Sequence, residues 1–239
     1  MDSFVKGHCD RDFESTSYKE YQNGEDRQNL YLKQYPITAI SRLSIGRNNA
    51  IKVNNSATST YATISVTSTG VILNKDGDTT ILLFADYATI TLMAAAIAAE
   101  TNWSAEVMNT SYASYASTEL IEVMGQQCLN TSWAYLEIPE EPEDSFEVYS
   151  EEGYIYKAGG FPSGHRNIRT DYTAGYAAAD MPSQLELACL MLVKFLYQKR
   201  EESTFGVKQY SIGSIRAILE AEMPGEVRLI LDKFARKDV

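Results

Sequence analysis

The spacing of polar and apolar positions near the start of this 239-residue chain is typical of β-strands. Residues 16–21 and 29–35 alternate polar with apolar or aromatic side chains, a period of two. Asn23 and Gly24 lie between them and form a strong turn signal, so the pattern predicts a β-hairpin. Pro36 cannot donate a ladder hydrogen bond, and we expect it to end the pairing of the second strand.

A different composition, rich in Asn, Ser, Thr, Ala and Tyr, begins at about residue 47. Alternating patterns predict strands at residues 61–67, 70–74, 80–85, 103–108 and 117–123. An Ala-rich helix is predicted over residues 89–100, because Ile90, Met93, Ala94 and Ile97 recur at helical spacing. These elements suffice for a self-contained α+β unit, and we assign residues 48–140 to an inserted domain.

Beyond the inserted domain, strand character returns at residues 146–149 and 154–157, with a turn at Glu152 and Gly153. Residues 158–166 are rich in Gly and Pro, and we expect no regular structure there. The next strand is predicted at residues 167–172.

Two amphipathic helices are predicted near the end of the chain. Pro182 suits a helix start, and the following apolar stripe is a candidate core face: Leu185, Ala188, Cys189, Leu192, Phe195 and Leu196. Pro224 opens a last helix with apolar positions at Val227, Ile230, Leu231 and Phe234. Such a short helix is marginal alone, so it needs a surface to pack on. That surface is either its own core or a neighbouring subunit, which makes these four residues a candidate subunit or portal interface.

Together the patterns predict an α+β fold in which one domain interrupts another. Residues 1–47 and 141–239 form a discontinuous core domain, with a small β-hairpin or sheet and C-terminal helices. Residues 48–140 form a β-rich α+β domain inserted into it. A hydrophobic content of 44% over this length is sufficient for buried cores of this kind.

The net charge of −11 comes from one segment. Between Lys75 and Lys157 the chain has no Lys or Arg but fifteen Asp and Glu, and the remainder carries a net charge of +4. The densest part, residues 137–152, includes a candidate acidic surface of Glu140, Glu141, Glu143 and Asp144. It is either a solvated linker or a face that repels DNA or meets a basic partner.

The sequence contains no pattern typical of a catalytic, cofactor or metal site. Its two histidines, His8 and His165, lack metal-ligand spacing and a nucleophile motif. Three distant cysteines, Cys9, Cys128 and Cys189, argue against a disulfide scaffold. No apolar run reaches the length of a membrane span or a leader. We therefore expect no enzyme activity, no cofactor and no membrane partner.

Several short motifs occur in a family-like order around the inserted domain. They are Arg11-Asp12-Phe13, the stretch to Leu32, Tyr35-Pro36-Ile37, Gly153-Tyr154-Ile155-Tyr156, Asn167-Ile168-Arg169, Asp171-Tyr172-Thr173-Ala174-Gly175-Tyr176, Met181-Pro182 and the long helix, then residues 207–213 and the final helix. In this order the chain resembles the head-to-tail connector (adaptor) proteins of tailed bacteriophages. Members usually have two or more helices before the Arg-x-Phe region, whereas this chain has at most two helical turns within residues 2–9.

The resemblance implies a structural protein of the virion neck that is assembled in the host cytoplasm. It implies a homo-oligomeric, dodecameric ring beneath the portal protein, which joins a tail or neck completion protein and lets DNA pass without specific binding. The alternative is a virion accessory module whose inserted domain binds a host glycan or another virion protein. For that domain, Trp103, Tyr112, Tyr115 and Trp133 are either a binding surface or part of the core packing.

Overall fold

A computed structural model of the chain describes residues 2–56, 59–201, 209–212, 215–218 and 223–236. The helices are α1 (Asp2–Cys9), α2 (Ile90–Ala99), α3 (Ser183–Glu201) and α4 (Gly225–Leu231). The strands are β1 (Thr16–Gly24), β2 (Arg27–Tyr31), β3 (Ile37–Ile45), β4 (Arg47–Asn55), β5 (Ala62–Val66), β6 (Gly70–Lys75), β7 (Asp78–Leu83), β8 (Trp103–Val107), β9 (Val123–Gln127), β10 (Ala134–Pro139), β11 (Glu147–Tyr149), β12 (Tyr154–Phe161), β13 (Gly164–Ala174), β14 (Gln209–Ile212) and β15 (Ile215–Ile218). The mixture of antiparallel sheets and helices confirms the predicted α+β class.

A three-stranded antiparallel sheet joins the two ends of the chain. Its order is β1-β13-β3, so a strand that follows residue 163 lies between two strands that precede residue 46. Ile168, Thr170, Tyr172 and Ala174 alternate along β13 and are buried. We call β1, β13 and β3 the core sheet.

The prediction of a β-hairpin with its turn at Asn23 and Gly24 is wrong. β1 pairs with β13, whereas β2 pairs with β12 in a separate sheet of order β11-β12-β2. Gly24 lies opposite Gly164, and a Cβ atom there would meet the Pro162 carbonyl oxygen at 1.8 Å. The glycine thus permits the close approach of a distant segment. Glycine is favoured both in a turn and at such a contact, so the local sequence pattern does not distinguish the two roles.

Residues 158–166 were expected to have no regular structure, but most of them lie in strands. β12 extends to Phe161 and β13 begins at Gly164. The Asn167 side chain closes the short connection: its Nδ2 donates to the Pro162 carbonyl at 2.8 Å and its Oδ1 accepts from the Gly24 amide at 2.8 Å. Phe161 is buried at the end of β12. These contacts hold a Gly-rich segment in extended structure.

Residues 48–140, which we call the insert, contain two sheets of order β7-β6-β5-β9 and β10-β4-β8. The three strands predicted at 61–85 are confirmed as β5, β6 and β7. The predicted helix is confirmed as α2, capped by Thr89, whose hydroxyl accepts from the Leu92 amide at 3.3 Å. The strand predicted at 103–108 is confirmed as β8, but residues 117–119 form a 3₁₀ helix and the next strand begins only at Val123.

Two strands of the insert, β4 and β10, were not predicted. β4 reads as polar because its end carries Asn54 and Asn55, yet both are buried. The Asn54 side-chain amide donates to the carbonyls of Cys128 at 3.3 Å and Ser132 at 2.9 Å, and also to that of Asn130. A buried amide satisfied in this way does not carry the desolvation cost that the residue type suggests.

The buried apolar residues form three clusters. The largest draws all its buried members from residues 50–138 and includes the buried face of α2. The second lies between the core sheet and the β11-β12-β2 sheet. The third, which we call the helical layer, joins α1, α3, α4 and Phe13.

Candidate assembly surface

The long helix α3 has one face in the helical layer and another in solvent. Of the predicted core face, Leu185, Ala188 and Leu192 are buried, while Cys189, Phe195 and Leu196 are partly buried in the same cluster. Pro182 precedes the helix, and its carbonyl accepts from the Leu185 amide at 2.9 Å.

On another side of α3, four large apolar side chains are exposed at intervals of three, three and four residues. Leu187, Leu190, Val193 and Tyr197 have exposed fractions of 51, 66, 46 and 59%. This spacing keeps them along one side of a helix, and we call them the α3 stripe. A groove of about 410 Å³ lies beside it, lined mainly by apolar side chains that include Val5, Phe13, Leu185 and Leu190, together with the carboxylate of Glu186.

The α3 stripe is not among the faces that the sequence pattern predicts. The run from Leu185 to Tyr197 is apolar around more of the helix than a single core face needs. The width of this apolar sector is the sequence signal that could have indicated a second apolar face on α3. A contiguous exposed apolar area is uncommon on a monomer and typically marks an interaction surface.

The candidate interface on the last helix instead packs inside the chain. Val227 and Leu231 are fully buried, and Ile230 and Phe234 are partly buried in the helical layer. The Phe234 ring meets Phe13 edge-on, with 6.4 Å between centroids. The expected alternatives were the core of the same chain and a neighbouring subunit, and α4 packs on the core of the same chain. The outward side of α4 carries Leu229, which is 69% exposed.

The candidate acidic surface consists of residues with separate local contacts. Glu140, Glu141 and Asp144 are exposed, and Glu143 forms an ion pair with Lys157, with 2.7 Å between Oε2 and Nζ. The Glu141 carboxylate accepts a hydrogen bond from the Tyr115 hydroxyl, which raises the pKa of that phenol. The four side chains therefore do not converge on one ligand position.

An arginine–glutamate–arginine clamp connects the insert to the core sheet. Glu119 lies in a 3₁₀ helix of the insert, and its Oε2 accepts from the Nη1 atoms of Arg42 and Arg169, each at 2.6 Å. Asp171 pairs with Arg169 through a second 2.6 Å contact. Burial alone would lower the pKa of Arg169, but hydrogen bonds to Asp171 and Glu119 raise it instead. The clamp is a partly buried charged network, and its hydrogen bonds favour the protonated form of Arg169.

Cys9, Cys128 and His165 lie apart from one another, in the helical layer, in the insert core and in a cleft. Cys9 and Cys128 are fully buried, and burial raises their pKa values to about 11 and about 12, so both are neutral thiols at pH 7. His165 lines a cleft of about 540 Å³ between the insert and the core sheet, where the charged side chains are those of Arg47, Arg166, Glu122 and Glu137. Within the described ranges, no three His, Cys, Asp or Glu residues come together as metal ligands.

No helix in the described ranges has the length and apolar character required to cross a bilayer.

The aromatic residues considered for the insert divide between core and surface. Trp103 is 8% exposed, and Tyr112 and Tyr115 pack partly buried against the insert core. Trp133 is 43% exposed, with the Lys52 ammonium 5.3 Å from its ring centroid. Three of the four therefore contribute to packing and one to the surface.

No protein-family model and no curated protein sequence matches this chain.

Proposed function

We propose that this protein is a non-enzymatic head-to-tail connector of a tailed bacteriophage, which assembles as a ring beneath the portal. The resemblance that suggests this function lies in the two segments that flank the insert. In the structure these segments share the core sheet and the helical layer. A single body made from both segments is what a connector core requires, and it supports the proposal.

The α3 stripe is the observation that carries the proposal. A ring needs a heterologous interface, in which one surface of each copy meets a different surface of the next. Four half-exposed apolar side chains beside an apolar groove supply one such surface. Burying the exposed part of each side chain would contribute roughly 1 kcal/mol. We assign the α3 stripe to the contact between neighbouring copies.

The charge distribution is compatible with DNA passage through such a ring. The segment between Lys75 and Lys157 has no basic residue, and Glu140, Glu141 and Asp144 are exposed. Phosphate binding requires Lys or Arg to displace counterions, so this segment repels DNA rather than retaining it.

Electron microscopy of the chain co-expressed with the portal protein from its own genome tests the function directly. We expect a closed ring of this chain stacked on the portal ring, with the virion neck as its location. A chain that never joins the portal, at any protein ratio or salt concentration, would contradict the proposal.

A recognition role for the insert is the second candidate, and the exposure of Trp133 beside Tyr135 favours it. Tyr135 is 39% exposed and pairs in register with Lys52. Aromatic side chains with a cation alongside suit contact with a sugar or another virion protein. A glycan array probed with the full chain and with Trp133→Ala tests this role. Binding that survives the substitution, or no binding at all, would reject the Trp133 surface.

A further inference from the structure

Three tyrosines form a row across the β11-β12-β2 sheet. In the strand register Tyr154 of β12 lies opposite Tyr31 of β2 on one side and Tyr149 of β11 on the other. The Tyr149 and Tyr154 rings stack with centroids 4.5 Å apart, and Tyr31 and Tyr154 are 5.2 Å apart. We call Tyr31, Tyr154 and Tyr149 the tyrosine row.

The row faces solvent because of the two-residue period of the strands. Ile155 and Leu30 alternate with Tyr154 and Tyr31 and are buried in the cluster beneath the sheet. Tyr31 and Tyr149 are 40 and 38% exposed. The three rings therefore lie on the side of the sheet opposite its core.

Three exposed carboxylates lie next to the row. Glu147 is on the same strand as Tyr149, with its Oε2 3.4 Å from the Tyr149 hydroxyl. Glu151 and Glu152 occupy the turn between β11 and β12, closed by the Gly153 amide, which donates to the Tyr149 carbonyl at 2.9 Å. Within the described part of the chain, none of these three glutamates has a Lys or Arg within ion-pair distance. The charge of Glu147 raises the pKa of Tyr149, consistent with a negative local potential.

A cavity of about 410 Å³ adjoins the row and shares its chemistry. Tyr31, Tyr154, Glu151 and Glu152 line it, together with Tyr35 and Arg236. Arg236 is paired with Asp10, with 3.5 Å between Nη1 and Oδ2. Tyr35 already stacks on one guanidinium of this chain, since the Arg11 Cζ lies 3.6 Å from its ring centroid.

We propose that the tyrosine row and its glutamates bind an arginine side chain presented by a basic segment of a partner protein. Tyrosine faces attract a cation through their quadrupole, and a planar guanidinium can stack on a ring while it donates two hydrogen bonds to a carboxylate. Tyr31, Glu151 and Glu152 line the same cavity, which places an aromatic ring and two carboxylates around one space that a guanidinium could enter. The site is separate from the α3 stripe, so the inference does not depend on ring formation.

Fluorescence anisotropy of the full chain with a dye-labelled peptide of three arginines spaced by glycines tests this site. We expect Tyr154→Leu to weaken binding about five- to tenfold, because the central ring contacts both neighbours. Glu152→Gln should weaken it about two- to threefold. The same peptide with citrulline in place of arginine should not bind measurably.

Two matched variants separate a specific site from general attraction to an acidic protein. Tyr61→Leu removes a tyrosine of the insert that is 39% exposed, and Asp86→Asn removes an exposed carboxylate of the insert. Neither should change the affinity. Equal weakening by these controls, equal binding of the citrulline peptide, or no binding of the arginine peptide at millimolar concentration would each overturn the proposal. Circular dichroism of Tyr154→Leu checks that the fold is retained.

Discussion

The insert and the helical layer bury their apolar side chains to different extents. Among the described residues, the insert core has 21 buried apolar members and the helical layer has eight, with nine more partly buried. Exposed apolar side chains in the insert come from separate elements, such as Ile81 on β7, Leu92 on α2 and Met124 on β9. On α3 they follow one line. The comparison shows that the insert leaves its exposed apolar side chains scattered, whereas the helical layer leaves a line of them along α3, the line that we propose a neighbouring copy covers.

The largest expected effect is the loss of a side chain from the insert core. Leu136 is fully buried in β10, and Leu136→Ala should lower the free energy of unfolding by about 3 to 4 kcal/mol. Leu192→Ala in the helical layer should cost about 2 kcal/mol, because its partly exposed neighbours can relax into the space. Urea denaturation measures both. A larger loss of unfolding free energy for Leu192→Ala than for Leu136→Ala would show that the helical layer is more tightly packed than the insert core.

A smaller effect is expected from the clamp that connects the two regions. Glu119→Gln removes the carboxylate shared by Arg42 and Arg169, whose side chains are 20 and 7% exposed. Leaving two arginines without their shared partner should cost about 2 kcal/mol, less than for a fully buried pair because Glu119 is itself 22% exposed. Thermal unfolding measures the loss.

Glu122→Gln is the matched control for the clamp, since the Glu122 backbone carbonyl accepts from Arg166 and its exposed side chain is not part of the network. It should change the unfolding free energy by less than about 0.5 kcal/mol. Equal effects of the two substitutions would mean that the clamp does not stabilise the junction.

Alkaline pH should destabilise the protein through its buried thiols. Burial raises the pKa of Cys128 from 9.0 to about 12, so the unfolded chain loses this proton first as the pH rises. The stability associated with the neutral thiol is complete below pH 9 and is lost between pH 9 and about 12. By pH 10 the loss should be about 1 kcal/mol.

Comparing wild type with Cys128→Ala in urea denaturation at pH 8 and pH 10 isolates this contribution, because other titrating groups are common to both. The variant should show the smaller decrease between the two pH values. An identical decrease would mean that Cys128 ionises as readily in the folded protein as in the unfolded chain.

Elements with a strong local period could be predicted from the sequence. The strands β5, β6 and β7 alternate, and α2 and α3 carry apolar faces at helical spacing, so local pattern and tertiary packing agree there. The pairing of β1 with β13 could not be predicted, because the paired residues are 140 to 158 positions apart in the sequence and Gly24 mimics a turn. β4 was missed because Asn54 gains its partners only once the insert has folded.

The candidate assembly surface was harder to predict than the fold. An apolar residue on a helix is equally consistent with a core and with an interface, and only the packing of α1 and α4 decides which face of α3 is covered. The spacing of Val227 and Leu231 therefore predicts either a core or an interface, and both lie in the core, whereas Leu190 belongs to no predicted face and lies in solvent. The order of the tyrosine row likewise depends on the register of three strands.

The central claim, that the α3 stripe is covered by a neighbouring copy, is tested most directly by the molar mass in solution. Leu190→Glu and Ile81→Glu replace residues that are 66 and 58% exposed, one on the stripe and one on the insert. Neither should change the unfolding free energy of a single chain by more than about 0.5 kcal/mol. Light scattering of the chain alone, and of the chain mixed with the portal ring, should show wild type and Ile81→Glu in a multi-subunit assembly. Leu190→Glu should remain a 26.7 kDa monomer in both samples. A Leu190→Glu chain that assembles as fully as wild type would contradict the account.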